Sequence, residues 1–252
     1  MKITFLGTGT STGVPQIGCQ CAVCSSADPH DARLRTSVLV ETDATRVLLD
    51  CGPDFRQQML NIPFARLDVV LLTHEHYDHT GGIDDLRPFC AFGDIDIYAE
   101  PNVGRALRSR IPYCFAEHKY PGVPKINLVD VDVNTPFRIN ELTIVPIRVM
   151  HGNMPIVGYR IGPMAYLTDV STIAECEIGK LVGLDVLIIN ALRYEAHPSH
   201  QTVDEALRLA ERIAPRRAYF IHMAHQIGLH ADVERQLPSE VHLAYDGLTF
   251  SI

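Results

Sequence analysis

Short apolar runs recur along the chain, and most are closed by Gly, Pro, Asp or Thr. Ile3–Leu6 leads into a Gly/Thr loop from Gly7 to Gly13 and predicts a first strand. Ser37–Glu41 and Arg46–Leu49, rich in β-branched and aliphatic residues, flank Thr42–Thr45 and predict a hairpin. Leu67–Leu72, Ile95–Tyr98, Leu142–Val149, Ile156–Ile161, Ala165–Leu167, Val186–Ile189 and Ala218–Ile221 predict further buried strands. Helical period is clearest after Thr202, where Thr202–Glu205 has capping-box spacing. Val203, Ala206, Leu207, Ala210, Ile213 and Ala214 then make one apolar stripe, and Pro215 stops it. Pro53–Leu60, Pro101–Arg110, Ile173–Leu181 and His230–Gln236 predict weaker helices. Strands dominate both halves, so the pattern predicts two packed sheets with helices outside them. It is not the regular alternation of a doubly wound fold.

The chain has 252 residues, 46% of them hydrophobic and 21% charged, which suits a globular core and excludes disordered and collagen-like classes. No internal repeat or Ser/Gly/Pro-rich linker divides it, so a single domain over 1–252 is expected. No apolar run approaches a membrane span of roughly 18–20 residues. The first apolar stretch is too short for a signal peptide, and a cytoplasmic location is expected. A net charge of −8 lacks the basic balance of a nucleic-acid binder, whereas small anionic substrates stay open.

Candidate chemistry begins at Thr73-His74-Glu75-His76-Tyr77-Asp78-His79, directly after a predicted strand. Imidazole and carboxylate in this density suit Zn, Mn, Fe, Co or Ni. A second cluster, Gly18-Cys19-Gln20-Cys21-Ala22-Val23-Cys24, offers three thiols in a reducing compartment, where clustering points to metal before disulfide. Three thiolates fill three corners of a tetrahedral zinc site, with His225 the candidate fourth ligand. Cys51, Cys90, Cys114 and Cys176 stand alone and read as buried small hydrophobes.

His74–His79 resembles the His-x-His-x-Asp-His signature of the metallo-β-lactamase superfamily. His151, Asp169 and His222, each at an apolar strand end, follow in that superfamily's ligand order, and Asp50-Cys51-Gly52 resembles its early Asp-x-Gly element. The resemblance implies an αββα sandwich of two mixed sheets. It implies a first ion on His74, His76 and His151, a second on Asp78, His79 and His222, and Asp169 bridging them. Asp50 would orient a ligand from behind. The implied reaction is metal-dependent hydrolysis by a hydroxide held between two divalent ions, Mn²⁺ or Zn²⁺. No protein nucleophile is needed, and no Gly-x-Ser-x-Gly elbow is present.

The Gly-Cys-x-Cys-x-x-Cys segment with the late His222-x-x-His225 resembles the PhnP-like branch of phosphoribosyl cyclic phosphodiesterases. That implies one structural Zn²⁺ on Cys19, Cys21, Cys24 and His225, stapling an N-terminal loop at 18–25 to the loop that carries His222. It also implies a proton donor just before the long helix. His200 fits that place, with His197 a near rival, and Asp78 joins His200 among the catalytic residues. The expected substrate is a small, cyclic-ribosyl-like anionic phosphodiester, the expected assembly a homodimer. The competing readings are a tRNA-processing nuclease, which would need a basic arm, and a PqqB-like accessory metalloprotein. Arg148, Arg160 and Arg193 are candidates for a distal phosphate. Ile111–Pro124, with His118, Lys119 and Tyr120, reads either as a flap over the site or as a surface loop.

Overall fold

A computed structural model describes residues 1–119 and 121–252. The first half contains β1 (Lys2–Gly7), β2 (Ser37–Glu41), β3 (Arg46–Leu49), α1 (Phe55–Met59), β4 (Val69–Leu71), α2 (Tyr77–Thr80), β5 (Ile95–Ala99), α3 (Pro101–Arg110) and β6 (Ile126–Asp130). The second contains β7 (Phe137–Ile139), β8 (Leu142–His151), β9 (Met154–Ile161), β10 (Met164–Leu167), β11 (Thr172–Ile173), α4 (Glu175–Ile178), β12 (Val186–Asn190), α5 (Val203–Ile213), β13 (Arg217–Ile221), α6 (His230–Glu234), β14 (Val241–Leu243) and β15 (Thr249–Ser251).

A seven-stranded sheet runs β15-β1-β2-β3-β4-β5-β6, and an eight-stranded sheet runs β11-β8-β9-β10-β12-β13-β14 with β7 beside β8. Each sheet is antiparallel at one side and parallel at the other: β3-β4-β5-β6 pair in parallel in the first, β10-β12-β13-β14 in the second. The period of two in a strand sorts side chains between layers. In β3, Val47 and Leu49 enter the core between the sheets, while Leu48 joins the outer core under α1 and α3. In β12, Val186 and Ile188 face inward and Leu187 and Ile189 pack under α5. Strands covered on both faces are apolar throughout. The result is the expected αββα sandwich.

Helix α5 starts as predicted. Thr202 Oγ1 accepts from the Glu205 backbone N–H at 3.2 Å, and Glu205 accepts from the Thr202 N–H at 2.8 Å. Its buried face differs from the predicted stripe. Leu209 belongs to it, Leu207 lies at its edge, and Ala214 is the exposed left-handed cap at φ 54°. The Ile173–Leu181 expectation is corrected: Thr172–Ile173 pairs with β8, and only the short turns Glu175–Ile178 and Gly179–Leu181 are helical. Thiols Cys51 and Cys114 are buried as expected, but Cys176 is exposed on a helical turn and Cys90 is half-buried. Pro112–Phe115 is a short 3₁₀ turn, His118 and Lys119 are exposed, and Tyr120 lies outside the described residues. Among the described residues no helix is long and apolar enough to cross a membrane.

Candidate metal centre

Four strand ends and one short helix deliver the His/Asp cluster. The chain leaves β4 through Thr73 and His74, and α2 then carries Asp78 and His79 on one turn. His151 closes β8, Asp169 follows β10, and His222 follows β13. Asp50, Asp169 and His222 adopt left-handed backbone with φ of 59°, 59° and 55°. Such conformations are costly for residues other than Gly, and Asp tolerates them better than most. Each turns the chain sharply at a strand end and aims a short polar side chain across the gap between the sheets. Gly52 packs so closely on the Asp78 carbonyl that a Cβ has no room there, which locks the Asp50–Gly52 turn to α2.

The nitrogen and oxygen atoms converge. Potential ligand atoms of His74, His76 and His151 lie within 4.8 Å of one another, as do those of Asp78, His79 and His222 and those of His74, His79 and Asp169. Asp169 Oδ2 is 3.2 Å from His79 Nε2 and Oδ1 is 3.3 Å from His222 Nε2, and the same carboxylate also groups with His74 and with His151. Asp78 Oδ2 is 3.2 Å from His79 Nε2 and 3.4 Å from His222 Nε2. His74 and His79 are buried, His76 sits on the open rim, and the Nε2 atoms of His74 and His79 have no hydrogen-bond partner.

Outward hydrogen bonds set the tautomers. His151 Nδ1 donates to the carbonyls of Ser199 at 2.8 Å and Asp169 at 3.0 Å, leaving Nε2 for the site. His79 Nδ1 donates to Asp50 at 2.8 Å. His74 Nδ1 lies 2.9 Å from Thr73 Oγ1, which in turn reaches Asp50 at 3.0 Å. This is the carboxylate- and carbonyl-backed imidazole arrangement that suits metal ligands. Unpartnered buried nitrogens beside two carboxylates therefore fit divalent cations, on the seven residues His74, His76, Asp78, His79, His151, Asp169 and His222.

The charges agree. Burial pushes Asp78 up, but the charge on His79 and the His222 and His79 Nε2 atoms 3.4 and 3.2 Å from its Oδ2 outweigh it and hold the carboxyl below its usual range. Asp169 is likewise held well below, because His222 and His79 outweigh its burial. Burial alone would neutralise His79, yet Asp169, Asp78 and Asp50 raise it well above an ordinary histidine. His74 goes the other way, lowered by burial and by His79.

His200 stands between His151 and His222, with ring centroids 4.6 and 4.9 Å away, and its Nδ1 is 3.7 Å from Asp169. Burial and the neighbouring His222 push it down to about 3. Its rival His197 is farther out, 4.9 Å from the His200 ring, and accepts from the Ser199 N–H. A cavity of about 630 Å³ opens beside His76 and His151, walled by Asn153, Ser171, Thr172 and Ser199.

Two of the candidate phosphate-binding arginines are engaged elsewhere. Arg148 forms a bidentate pair with Glu100, and Arg160 donates to the carbonyls of Gly162, Lys180 and Val182. Arg193 donates to the carbonyls of Glu195 and Ala196 in the loop that leads to His200.

The thiol cluster forms a second set of donors. His225 Nδ1 lies 3.3 Å from Cys21 Sγ and 3.7 Å from Cys19 Sγ, and the ligand atoms of Cys19, Cys21, Cys24 and His225 fall within 4.8 Å of one another. His225 Nε2 is 3.1 Å from Gln16 Oε1; that amide oxygen can only accept, so Nδ1 is free to face the sulfurs. The Cys24 N–H, chiefly, lowers Cys21 to about 6, whereas burial lifts Cys24 to about 11. Three partners carry no metal-ligand signature in the sequence: Thr73 and Tyr166, which donate to Asp50, and Thr168, whose hydroxyl donates to Asp169 Oδ2. Thr73 adjoins His74 and was findable; Tyr166 sits inside an apolar strand and carried no signal.

The Beta-lactamase superfamily domain family matches residues 45–223, and the chain belongs to this superfamily of metal-dependent hydrolases. Within it the chain is PhnP-like: the crystal structure of a new diphosphatase from the PhnP family superposes with a TM-score of 0.92 at 39% identity, covering 100% of this chain and 97% of that one. A Porphyromonas gingivalis protein named octanoyltransferase is 49% identical over 250 residues, 98% of this chain and 51% of its own length. The chain therefore spans about half of that relative. Coenzyme PQQ synthesis protein B of Methylorubrum extorquens is 34% identical over 117 residues, 41% of this chain and 38% of that protein.

Proposed function

We propose that this chain is a two-metal phosphodiesterase acting on a small anionic phosphodiester, with a cyclic ribosyl phosphate as the model substrate. The observation that carries the reading is the seven-residue donor set around Asp169, whose carboxylate groups with His74 and His151 of one set and with His79 and His222 of the other. His74, His76 and His151 would hold one ion, Asp78, His79 and His222 the other, and Asp169 would bridge. Mn²⁺ or Zn²⁺ bound there would supply Lewis acidity and an activated water. Cys19, Cys21, Cys24 and His225 would hold a separate Zn²⁺ with no open position, as structural sites do.

The remaining steps belong to the protein. Asn153, Ser171, Thr172 and Ser199 offer neutral hydrogen-bonding groups to the non-reacting part of a substrate. His200 follows Ser199 of that wall, with its ring 4.6 Å from His151, and would deliver a proton to the leaving alkoxide. Burial and the neighbouring His222 hold His200 low, so the substrate's own negative charge would favour its protonated form. His151 is held by the Ser199 carbonyl, so the loop that presents His200 also orients a ligand.

A second reading, cleavage of a diphosphate, is favoured by the 39% identical neighbour named a diphosphatase. Acyl transfer is not part of the proposal. The octanoyltransferase name belongs to a protein about twice this length, and Cys51, whose backbone N–H meets the His79 carbonyl, is fully buried and raised well above its usual range by burial. The test is turnover of a chromogenic phosphodiester, its monoester and a nucleoside diphosphate, with Mn²⁺, with Zn²⁺ and after chelation. Metal-dependent diester cleavage with little monoester cleavage supports the proposal. Preference for the diphosphate selects the second reading, and no phosphoryl turnover with any metal refutes both.

A further inference from the structure

Three hydrogen bonds cross the apolar core between the sheets just beneath the His/Asp cluster. Tyr159 OH donates to the Leu72 carbonyl at 2.8 Å, the Val157 N–H donates to the Thr73 carbonyl at 3.1 Å, and Tyr166 OH donates to Asp50 Oδ2 at 3.0 Å. Tyr159 and Tyr166 are among the largest fully buried side chains, and both belong to the inter-sheet core. Two of these bonds end on main chain. The third ends on the carboxylate that orients His79.

Asp50 is 0% exposed, and Thr73, His79 and Tyr166 all donate to it. Oδ1 accepts from the Thr73 N–H at 2.9 Å; Oδ2 accepts from His79 Nδ1 at 2.8 Å and from Tyr166 at 3.0 Å; Thr73 Oγ1 is 3.0 Å from both oxygens. Thr73 and His79 belong to the first sheet's side of the site. Among the described residues, Tyr166 alone reaches Asp50 from the second sheet, three residues before Asp169, which follows the same strand. A buried acceptor that loses one donor has no water to replace it. The carboxylate would then rotate toward its remaining partners, and the His79 ring would follow.

We propose that Tyr166 is a positioning residue for the metal centre: its hydroxyl, crossing from β10 to Asp50, fixes the carboxylate that orients His79 and so sets how tightly the second ion is held. This rests on the reading of His79 as a ligand given above. Tyr166 touches no reacting atom and acts only through Asp50. Its phenol therefore couples the spacing of the two sheets to the ligand geometry at their common end.

The test uses the full chain and Co²⁺, whose thiolate charge-transfer absorption separates the Cys19 cluster from the His/Asp cluster. Affinity is read by competition with a chromogenic chelator for wild type, Tyr166→Phe and Tyr159→Phe. Both variants lose one buried hydroxyl and should lower Tm to a similar degree. Only Tyr166→Phe should weaken Co²⁺ at the His/Asp cluster, by about tenfold, as loss of a partner behind a metal ligand does. Tyr159→Phe should stay within about twofold of wild type. In an Asp50→Asn background the Tyr166→Phe effect should vanish. Equal affinity of Tyr166→Phe and wild type, equal weakening in both tyrosine variants, or a full effect that persists without the Asp50 carboxylate would each overturn the proposal. A wild-type chain that takes Co²⁺ only on its thiols would instead overturn the metal-centre reading on which it rests.

Discussion

The Cys19 cluster draws three of its four donors from residues 19–24, whereas the His/Asp cluster draws its seven from four strand ends spread over residues 74–222. The thiols and His225 lie in half-exposed loops. His74, His79, His151, Asp169 and His222 are buried, and His74, His79 and His151 have a second ring nitrogen engaged by an oxygen. The two arrangements suit different tasks: a local thiol cluster would close on an ion and tie down a loop. A cluster assembled across two sheets must have its geometry imposed by the whole fold, and it opens on a cavity.

The two meet at one short segment. His222 belongs to the buried cluster and His225 to the thiols, and Met223 between them pairs with the Thr8–Thr10 backbone. An ion on the thiols would thus steady the segment that carries a catalytic-centre ligand, without touching substrate.

Substitutions should separate these roles. The largest effect is expected from Asp169→Asn, which removes the group facing both ligand sets. Diester turnover should fall by about a thousandfold or more while circular dichroism stays native. His200→Ala should cost about a hundredfold in kcat, within the usual range for a general acid, with both ions still bound. Full activity in that variant would remove the proton-donor role. Cys21→Ser should act on stability first. Loss of the thiol-held ion should lower Tm by about 5–10 °C, the change expected for a few kcal/mol in a chain of this size, with a smaller loss of activity in the folded fraction.

The smallest effects concern protons. Carboxylates around His79 raise it well above 6.5, so before an ion binds it carries a proton that stabilises the fold below its unfolded pKa. That contribution is lost as pH rises through the raised folded value. Metal uptake must expel the same proton, so affinity at the His/Asp cluster should fall as pH falls. At the thiols the corresponding proton sits on Cys24, lifted to about 11, while Cys21 at about 6 is already a thiolate at neutral pH. Calorimetry in two buffers of different ionisation heat should show about one proton released from each of these groups. No buffer dependence would contradict both assignments.

Much of the sandwich is legible in the sequence because strands covered on both faces are unbroken apolar runs. Val47–Leu49, Val186–Ile189 and Ala218–Ile221 are such runs, each inside one of these strands. Edge strands escape that reading. Val241-His242-Leu243 and Thr249-Phe250-Ser251 are short, half-polar and held only by their neighbours. The site divides in the same way. His74–His79 is dense enough to read locally, whereas His151, Asp169 and His222 are lone polar residues that acquire meaning from ligand order. Tyr166 reads as one more apolar residue of Met164–Leu167, because only the packing of the second sheet on the first brings its hydroxyl to Asp50. Arg148 misleads for the converse reason. Its charge suggests a phosphate, but Glu100 already takes both arms of the guanidinium.

The most direct test of the account counts ions and turnover together. Elemental analysis of the folded chain should find three ions, and a mild chelator should strip two of them along with all diesterase activity, leaving one ion and a native fold. Activity that survives removal of those two ions, or that disappears with the thiol-held ion while the other two remain bound, would contradict it.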